Sequence, residues 1–316
     1  MEFKHIPVLL NETIEGLNVK PDGIYVDGTI GGAGHSKEVI KKLSDKGLLI
    51  GIDRDDEALN AARKNLNGYK NFKLVHGNHD EIKNILSDLG IEKVDGILLD
   101  LGVSSYQLDE KSRGFSYMPT DDILDMRMDK TQKLSALDVV NNYDEEKLED
   151  VIFKYGEERF ARHIAHNICI ERKKKKIETT KDLVQIIDKS IPFSKDPIKQ
   201  KRTFQAIRIE VNNEIKPLHD TVINSIECLK EEGRLCIITF HSLEDRAVKE
   251  AYIEAEGHCS CPKDLPYCVC NYKSLGKIIN KKPIEATKEE LEFNSRSKSA
   301  KLRIFERREK NKRKEG

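Results

Sequence analysis

Three aspartates and a glycine-rich turn are the residues best placed to do chemistry. The stretch YVDGTIGGAGHS, residues 25–36, ends a short apolar run at Asp27 and passes at once into a loop of glycines. GLLIGIDRD ends a second apolar run at Asp53, and VDGILLDLGVSS ends a third at Asp100. A glycine loop lets backbone come close to a ligand. It is not a nucleotide P-loop, which needs a lysine directly after its last glycine; here Gly34 precedes His35. Nor is it the dinucleotide fingerprint, because the third glycine position counted from Gly32 is Lys37. Three carboxylates around one crevice would repel a pyrophosphate. They suit a ligand that offers ribose hydroxyls, an adenine amino group and a positive charge. S-adenosylmethionine has all three and no phosphate. Asp53 follows the loop by about 20 residues, the spacing at which an acid reaches ribose hydroxyls. Without a ligand, the loop is a tight strand-to-helix turn and each aspartate is a helix N-cap.

Those aspartates must be positioned by strands that end side by side. GIYVDGTI, GLLIGIDRD, FKLVHGNH and VDGILLDLGVSS read as strands, with HSKEVIKKLSD, DEALNAARKNL and DEIKNILSDLG as the helices between them. This alternation predicts an α/β fold with a parallel, Rossmann-like sheet and right-handed crossovers. The rhythm then breaks. Between Tyr106 and about Phe204 the chain is polar, charged and helical in pattern, and the next strand, GRLCIITFHS, starts at Gly233 behind a helix, NNEIKPLHDTVINSIECLKEEG. We read residues 1–108 and 205–316 as the two parts of one domain and 109–204 as an inserted helical, substrate-recognising domain. Formal net charge is zero, so affinity for nucleic acid would need local basic clusters. ERKKKK at 171–176, KQKR at 199–202 and the C-terminal RSKSAKLRIFERREKNKRK supply candidates, and Arg113, Phe115 and Tyr117 of RGFSYM could stack on bases. Each run could equally be a solvated face, and Phe115 could simply pack in a core. The N-terminus lacks a secretory pattern and no apolar stretch of about 18 residues exists, so a cytoplasmic protein is expected.

Eight blocks place these features in a known context. HIPVLLNETIEGL, DGTIGGAGHS, DGILLDLGVSSYQLDEKSRGFS, LDMRMD, YGEERFARHIA, RTFQAIRIEVNNEI, FHSLEDRAVK and NSRSKSAKLRI follow one another as in the RsmH/MraW family, which the chain resembles from His5 to about Phe305. The resemblance implies a Rossmann-like S-adenosylmethionine-dependent methyltransferase domain interrupted by a helical domain. It implies methylation of a cytosine N4 amino group in small-subunit ribosomal RNA, on an assembled small subunit. It implies cofactor contacts from Ala33, Gly34, His35, Asp53, His79, Asp100 and Gln107. The chain departs from the usual family pattern at Ala33, where glycine is frequent, at His79, where an aromatic is common, and at Tyr106, where proline is usual.

The amino nitrogen of cytosine is a poor nucleophile because its lone pair is delocalised into the ring. Acceptors for its protons let it pyramidalise toward an electrophilic methyl, held in line. Asp100, Ser104 and Ser105 are the candidate acceptors. His241, in FHSLEDR, is a further catalytic candidate that could hold the base or relay a proton. In the same segment Ser242 and Asp245 have the spacing of a helix capping box. Cys259, Cys261, Cys268 and Cys270, within a loop-like stretch at 257–285, could hold a structural zinc. A disulfide pair or a plain cysteine-rich loop stays open, as does a homodimer.

Overall fold

Apolar runs that end in aspartate become the parallel strands of a seven-stranded sheet. The structure, a computed structural model, describes residues 7–191, 198–257 and 273–308. In chain order, helix α1 (Leu10–Leu17) precedes strand β1 (Ile24–Asp27), α2 (Gly34–Ile40), β2 (Leu48–Asp53), α3 (Asp56–Asn65), β3 (Phe72–His76), α4 (Ile82–Asp88) and β4 (Val94–Asp100). Six helices follow: α5 (Ser105–Asp109), α6 (Ala136–Asn142), α7 (Glu145–Gly156), α8 (Ala161–Lys174), α9 (Thr180–Ser190) and α10 (Gln200–Asn212). The chain then returns through α11 (Leu218–Glu227), β5 (Leu229–Thr239), α12 (Ser242–Glu256), β6 (Gly276–Ile278), α13 (Lys288–Phe293) and β7 (Lys301–Arg307).

Two compact units result, Met1–Gly102 with Ile215–Gly316, and Val103–Glu214. The expected limits at 108/109 and 204/205 differ from these, because α10 runs unbroken through residue 204 and packs on α7. In the first unit the strand order is β3-β2-β1-β4-β5-β7-β6. β1 to β5 are parallel, and β7 lies antiparallel between β5 and β6. Strands β2 and β4 are apolar on both faces, as expected for strands covered by helices above and below. One layer of core gathers Ile52, Ile97, Leu235, Val248 and Tyr252, and the other Leu49, Leu98, Ile238 and Leu302.

The second unit is helical and has its own core, in which Val139, Leu148, Ile164, Ile187, Phe204 and Ile207 are buried. α9 starts at the capping box read from the sequence, with Thr179 and Asp182 each bonded to the other's backbone. Two expectations need correction. The helix expected to run from residue 212 into 233 is broken: Asn213 turns left-handed at φ 51°, and α11 starts after Pro217. The basic segment at 301–307 is a core strand, buried at five successive positions, 302–306, with Arg303 and Glu306 among them.

Candidate active site

β1 and β4 lie side by side at the point where strand order reverses, β2 and β3 continuing on one flank and β5 on the other. In an open parallel sheet the crevice beyond the strand ends at such a point is where ligands bind. β1, β2 and β4 each end in aspartate, as the sequence implied. All three gather around the glycine turn. Asp27 is buried, and its carboxylate accepts from the Ser36 hydroxyl at 2.7 Å and from the Thr29 N–H at 3.2 Å. Asp53 accepts from the Gly31 N–H at 2.9 Å and the Asp55 N–H at 3.0 Å. The Asp100 N–H donates to the Thr29 hydroxyl at 2.6 Å. The turn is thus tied to three strand ends by side-chain hydrogen bonds.

These carboxyls resist ionisation. Burial pushes Asp27 up to about 6, against the pull of the Ser36 and Thr29 donors, and Asp53 adds repulsion. Burial, then the charges of Asp27 and Glu244, push Asp100 up to about 8. Burial also raises Asp53. Its cause in each case is the cost of a charge withdrawn from water. Asp100 Oδ1 is buried without a hydrogen-bond partner among the described residues. A buried acceptor left so costs free energy and marks a place where a ligand donor would be welcome.

Close packing explains the glycines. A Cβ on Gly28 would sit 2.4 Å from Leu99 Cδ2, and one on Gly34 would sit 2.4 Å from Pro7 Cγ. Pro7 to Leu9 therefore lie against the turn. His35 is buried and its Nε2 donates to the Val8 carbonyl at 2.9 Å. A carbonyl only accepts, so Nε2 carries the proton. Nδ1 lies 3.8 Å from Asp100 Oδ2. Ala33 takes the left-handed conformation at φ 61° and caps α2. Its methyl is fully buried in the core, so only its backbone faces the turn. His79 opens a single 3-10 turn after β3. Burial, with Arg54 nearby, pushes its imidazole down to about 3, so it is neutral at ordinary pH.

His241 sits at the start of α12, but as its cap. Its Nδ1 accepts from the Glu244 N–H at 3.4 Å, and its Nε2 lies 3.0 Å from Glu244 Oε1. This corrects the expected pair by one residue: the capping box is His241 with Glu244, not Ser242 with Asp245. Asp245 instead binds Arg303 of β7 through two bonds, at 2.7 and 3.1 Å. Glu244, fully buried and bonded to the Phe240 N–H at 2.7 Å, was not singled out from the sequence, nor were Thr29 and Ser36. The DGT that follows β1 was the available signal for Thr29, while nothing local in SLED marks Glu244 as buried.

In the second unit Ser104 and Gln107 cap α5 reciprocally: the Ser104 hydroxyl accepts from the Gln107 N–H, and Gln107 Oε1 from the Ser104 N–H. Ser105 is the first residue of that helix. Arg113 and Phe115 are not stacking surfaces. Both are buried, and Arg113 donates to the carbonyls of Arg127 and Met128. Much of the expected basic charge is also engaged. Arg172 bonds the Val140 carbonyl, Lys174 and Lys175 pair with Glu171 and Asp182, and Lys199 bonds the Asp188 and Ile191 carbonyls. Arg303 is buried in its pair with Asp245. Cys259, Cys261, Cys268 and Cys270 lie outside the described residues. Among the described residues no helix is long and apolar enough to cross a membrane.

Known proteins resemble the chain along nearly its whole length. The profile of the MraW methylase family matches residues 2–308. A protein of Clostridium botulinum (strain Kyoto / Type A2) named Ribosomal RNA small subunit methyltransferase H is 58% identical over 96% of this chain and 99% of its own. Ribosomal RNA small subunit methyltransferase H 2 of Agathobacter rectalis is 54% identical over 97% of this chain and 99% of its own. Among solved structures, TrmN from Thermus thermophilus is similar at a TM-score of 0.43 and 10% identity, over 95% of this chain and 48% of that one, a likeness too loose to build on.

Proposed function

The chain belongs to the MraW methylase family, and from that membership we propose that it transfers a methyl group from S-adenosylmethionine to the N4 amino group of a cytidine in small-subunit ribosomal RNA. The observation that carries the reading is the convergence of Asp27, Asp53 and Asp100 on one glycine turn at the sheet's switch point. A rim of carboxyls around closely approachable backbone fits a cationic nucleoside, whose positive charge would favour their ionised form.

S-adenosylmethionine supplies an electrophilic methyl on a positively charged sulfur. The residues suited to hold it are the backbone of Ala33 to His35, with Asp53, His79 and Asp100. Asp53 already accepts two backbone N–H groups, yet a carboxylate has about four lone-pair sites and can accept ribose hydroxyls as well. The neutral imidazole of His79 offers a flat face to an adenine without repelling a cation. Gln107 belongs to the helical unit, where its amide oxygen caps α5.

For the nucleophile, Asp100 is the acceptor we assign. Its Oδ1 is buried with no hydrogen-bond partner among the described residues, while the Ser104 hydroxyl already accepts from Gln107. Holding an amino proton at Asp100 localises the nitrogen lone pair. A carboxyl raised to about 8 is also a competent base for the proton shed after transfer. His241 acts at one remove, fixing the start of α12 and with it Glu244. The test is transfer from labelled cofactor to unmethylated small subunits, compared with naked RNA, followed by mass spectrometry of the nucleosides. Label in N4-methylcytidine, with assembled subunits preferred, is the expected result. Label at another position, or none, overturns the reading.

A further inference from the structure

We propose that the turn joining α7 to α8, together with the first turn of α10, forms a binding face for single-stranded RNA, with Phe153 and Phe160 as stacking platforms and Arg159 and Arg162 as phosphate contacts. This deepens the reading of the chain as an RNA methyltransferase and rests on it. It also replaces the stacking residues expected from the sequence, since Arg113 and Phe115 are buried.

The turn is rigidly built. Glu157 ends α7 in the left-handed conformation at φ 50°, its N–H bonded to the Phe153 carbonyl. Glu158 folds inward, only 5% exposed, and its carboxylate accepts from the Phe160 N–H at 3.0 Å. α10 is pressed close: a Cβ on Gly156 would sit 2.7 Å from the Arg202 carbonyl, and Arg202 Nη1 donates to the Glu157 carbonyl at 3.3 Å. This scaffold turns the flanking side chains outward. Phe153 is 64% exposed and Phe160 43%, although both belong to a helical unit that buries an apolar core of its own. Phe160 meets His163 edge-on, ring centroids 6.4 Å apart.

The cations beside this turn are uncompensated, although Glu149, Asp150 and Glu157 lie on α7 and its cap with Phe153. Arg159, Arg162 and Lys201 are exposed, and none makes a side-chain ion pair or hydrogen bond among the described residues. This contrasts with Lys174, Lys175 and Lys199, whose charges are paired or bonded to carbonyls. Of the two acids in the turn, Glu158 is buried and Glu157 already has a partner. Exposed rings interleaved with free cations match unpaired bases on a phosphate chain: the rings take the base faces and the guanidinium groups the phosphates. A protein partner would need carboxylates to meet the same cations. A duplex hides its base faces and would find only the arginines.

The experiment uses the full chain and a fluorescent single-stranded RNA oligonucleotide, with a duplex of the same length as comparison. Binding is read by anisotropy across a salt series. In F153A/F160A the affinity for the single strand should fall about fivefold or more, with the salt slope unchanged. In R159A/R162A the slope of log affinity against log salt should shrink by about 1.4, two contacts at ~0.7 each. Cofactor binding by calorimetry should match the parent chain in both variants, which also reports that they fold. Single-strand affinity and slope equal to the parent's overturn the proposal. So does an equal loss for duplex and single strand in the phenylalanine variant, and so does a protein-only defect, with RNA binding intact. If the parent chain transfers no methyl group but RNA binding responds as described, the function reading fails and this one stands.

Discussion

Burial, Asp27 and Glu244 together push the Asp100 carboxyl up to about 8, although 28% of its side-chain surface still meets solvent and water softens the penalty. A folded-state value above the unfolded one means that this group's favourable contribution is complete below about pH 4 and is lost as pH rises through about 8. Asp100→Asn removes the ionisable group, so at pH 8.5 its melting temperature should equal or exceed the parent's, while methyl transfer falls by about 100-fold or more. A melting temperature clearly lower at pH 8.5 than the parent's would refute the burial cost. In the parent chain methyl transfer should climb between pH 7 and 9 as Asp100 ionises, and a flat profile there counts against its role as proton acceptor. The three aspartates were legible because apolar strand runs end in them. The upward shift was not, because it comes first from burial, then from Asp27 and last from Glu244, and only the folded chain brings these together. Ala33 shows the same limit. Its left-handed backbone is a strain of about 1–2 kcal/mol, offset by a methyl buried in the core, and neither could be read from GGAGHS.

Helix α13 and the chain before α1 form a latch over the glycine turn. Glu290 Oε1 accepts from the Leu9 N–H at 2.9 Å and from the Ser297 hydroxyl. The strap it holds reaches His35 through the Val8 carbonyl and presses Pro7 on Gly34. Glu290→Ala leaves the Leu9 N–H without its partner, so the strap should loosen and cofactor affinity fall roughly threefold to tenfold, in line with the loss of one such bond. Glu290→Gln keeps an accepting oxygen and should stay near the parent. Calorimetric titration with S-adenosylmethionine decides it, and equal affinities for alanine and parent would show that the strap is not coupled to the turn. Of the elements, the first four strands could be read because each is a short apolar run bounded by glycine or charge. β7 could not: KLRIFER carries three basic residues and looked like a solvated tail, yet Arg303 is neutralised by Asp245 and Leu302, Ile304 and Phe305 enter the core.

The chain crosses from one unit to the other at 102/103 and again at 214/215, and each unit buries its own apolar cluster. The insertion itself was readable as a break in the strand–helix rhythm. Its limits were not, because α5 and α10 carry ordinary helical patterns that do not declare which core they join. Separate cores make a thermodynamic statement. The glycine turn, Asp53, His79 and Asp100 all belong to the sheet-bearing unit, so a ligand held by them stabilises that unit directly. At a cofactor concentration near 100 times the dissociation constant the gain is about 2.7 kcal/mol. For a domain of 150–250 residues this corresponds to roughly 5–10 °C in melting temperature. Differential scanning calorimetry should therefore resolve two transitions, of which S-adenosylmethionine raises one by that amount and leaves the other in place. Asp53→Ala, which removes the carboxylate that ties Gly31 to β2, should abolish the shift while keeping both transitions. One transition that moves as a whole would mean that the two cores melt together and that the helical unit shares in holding the ligand.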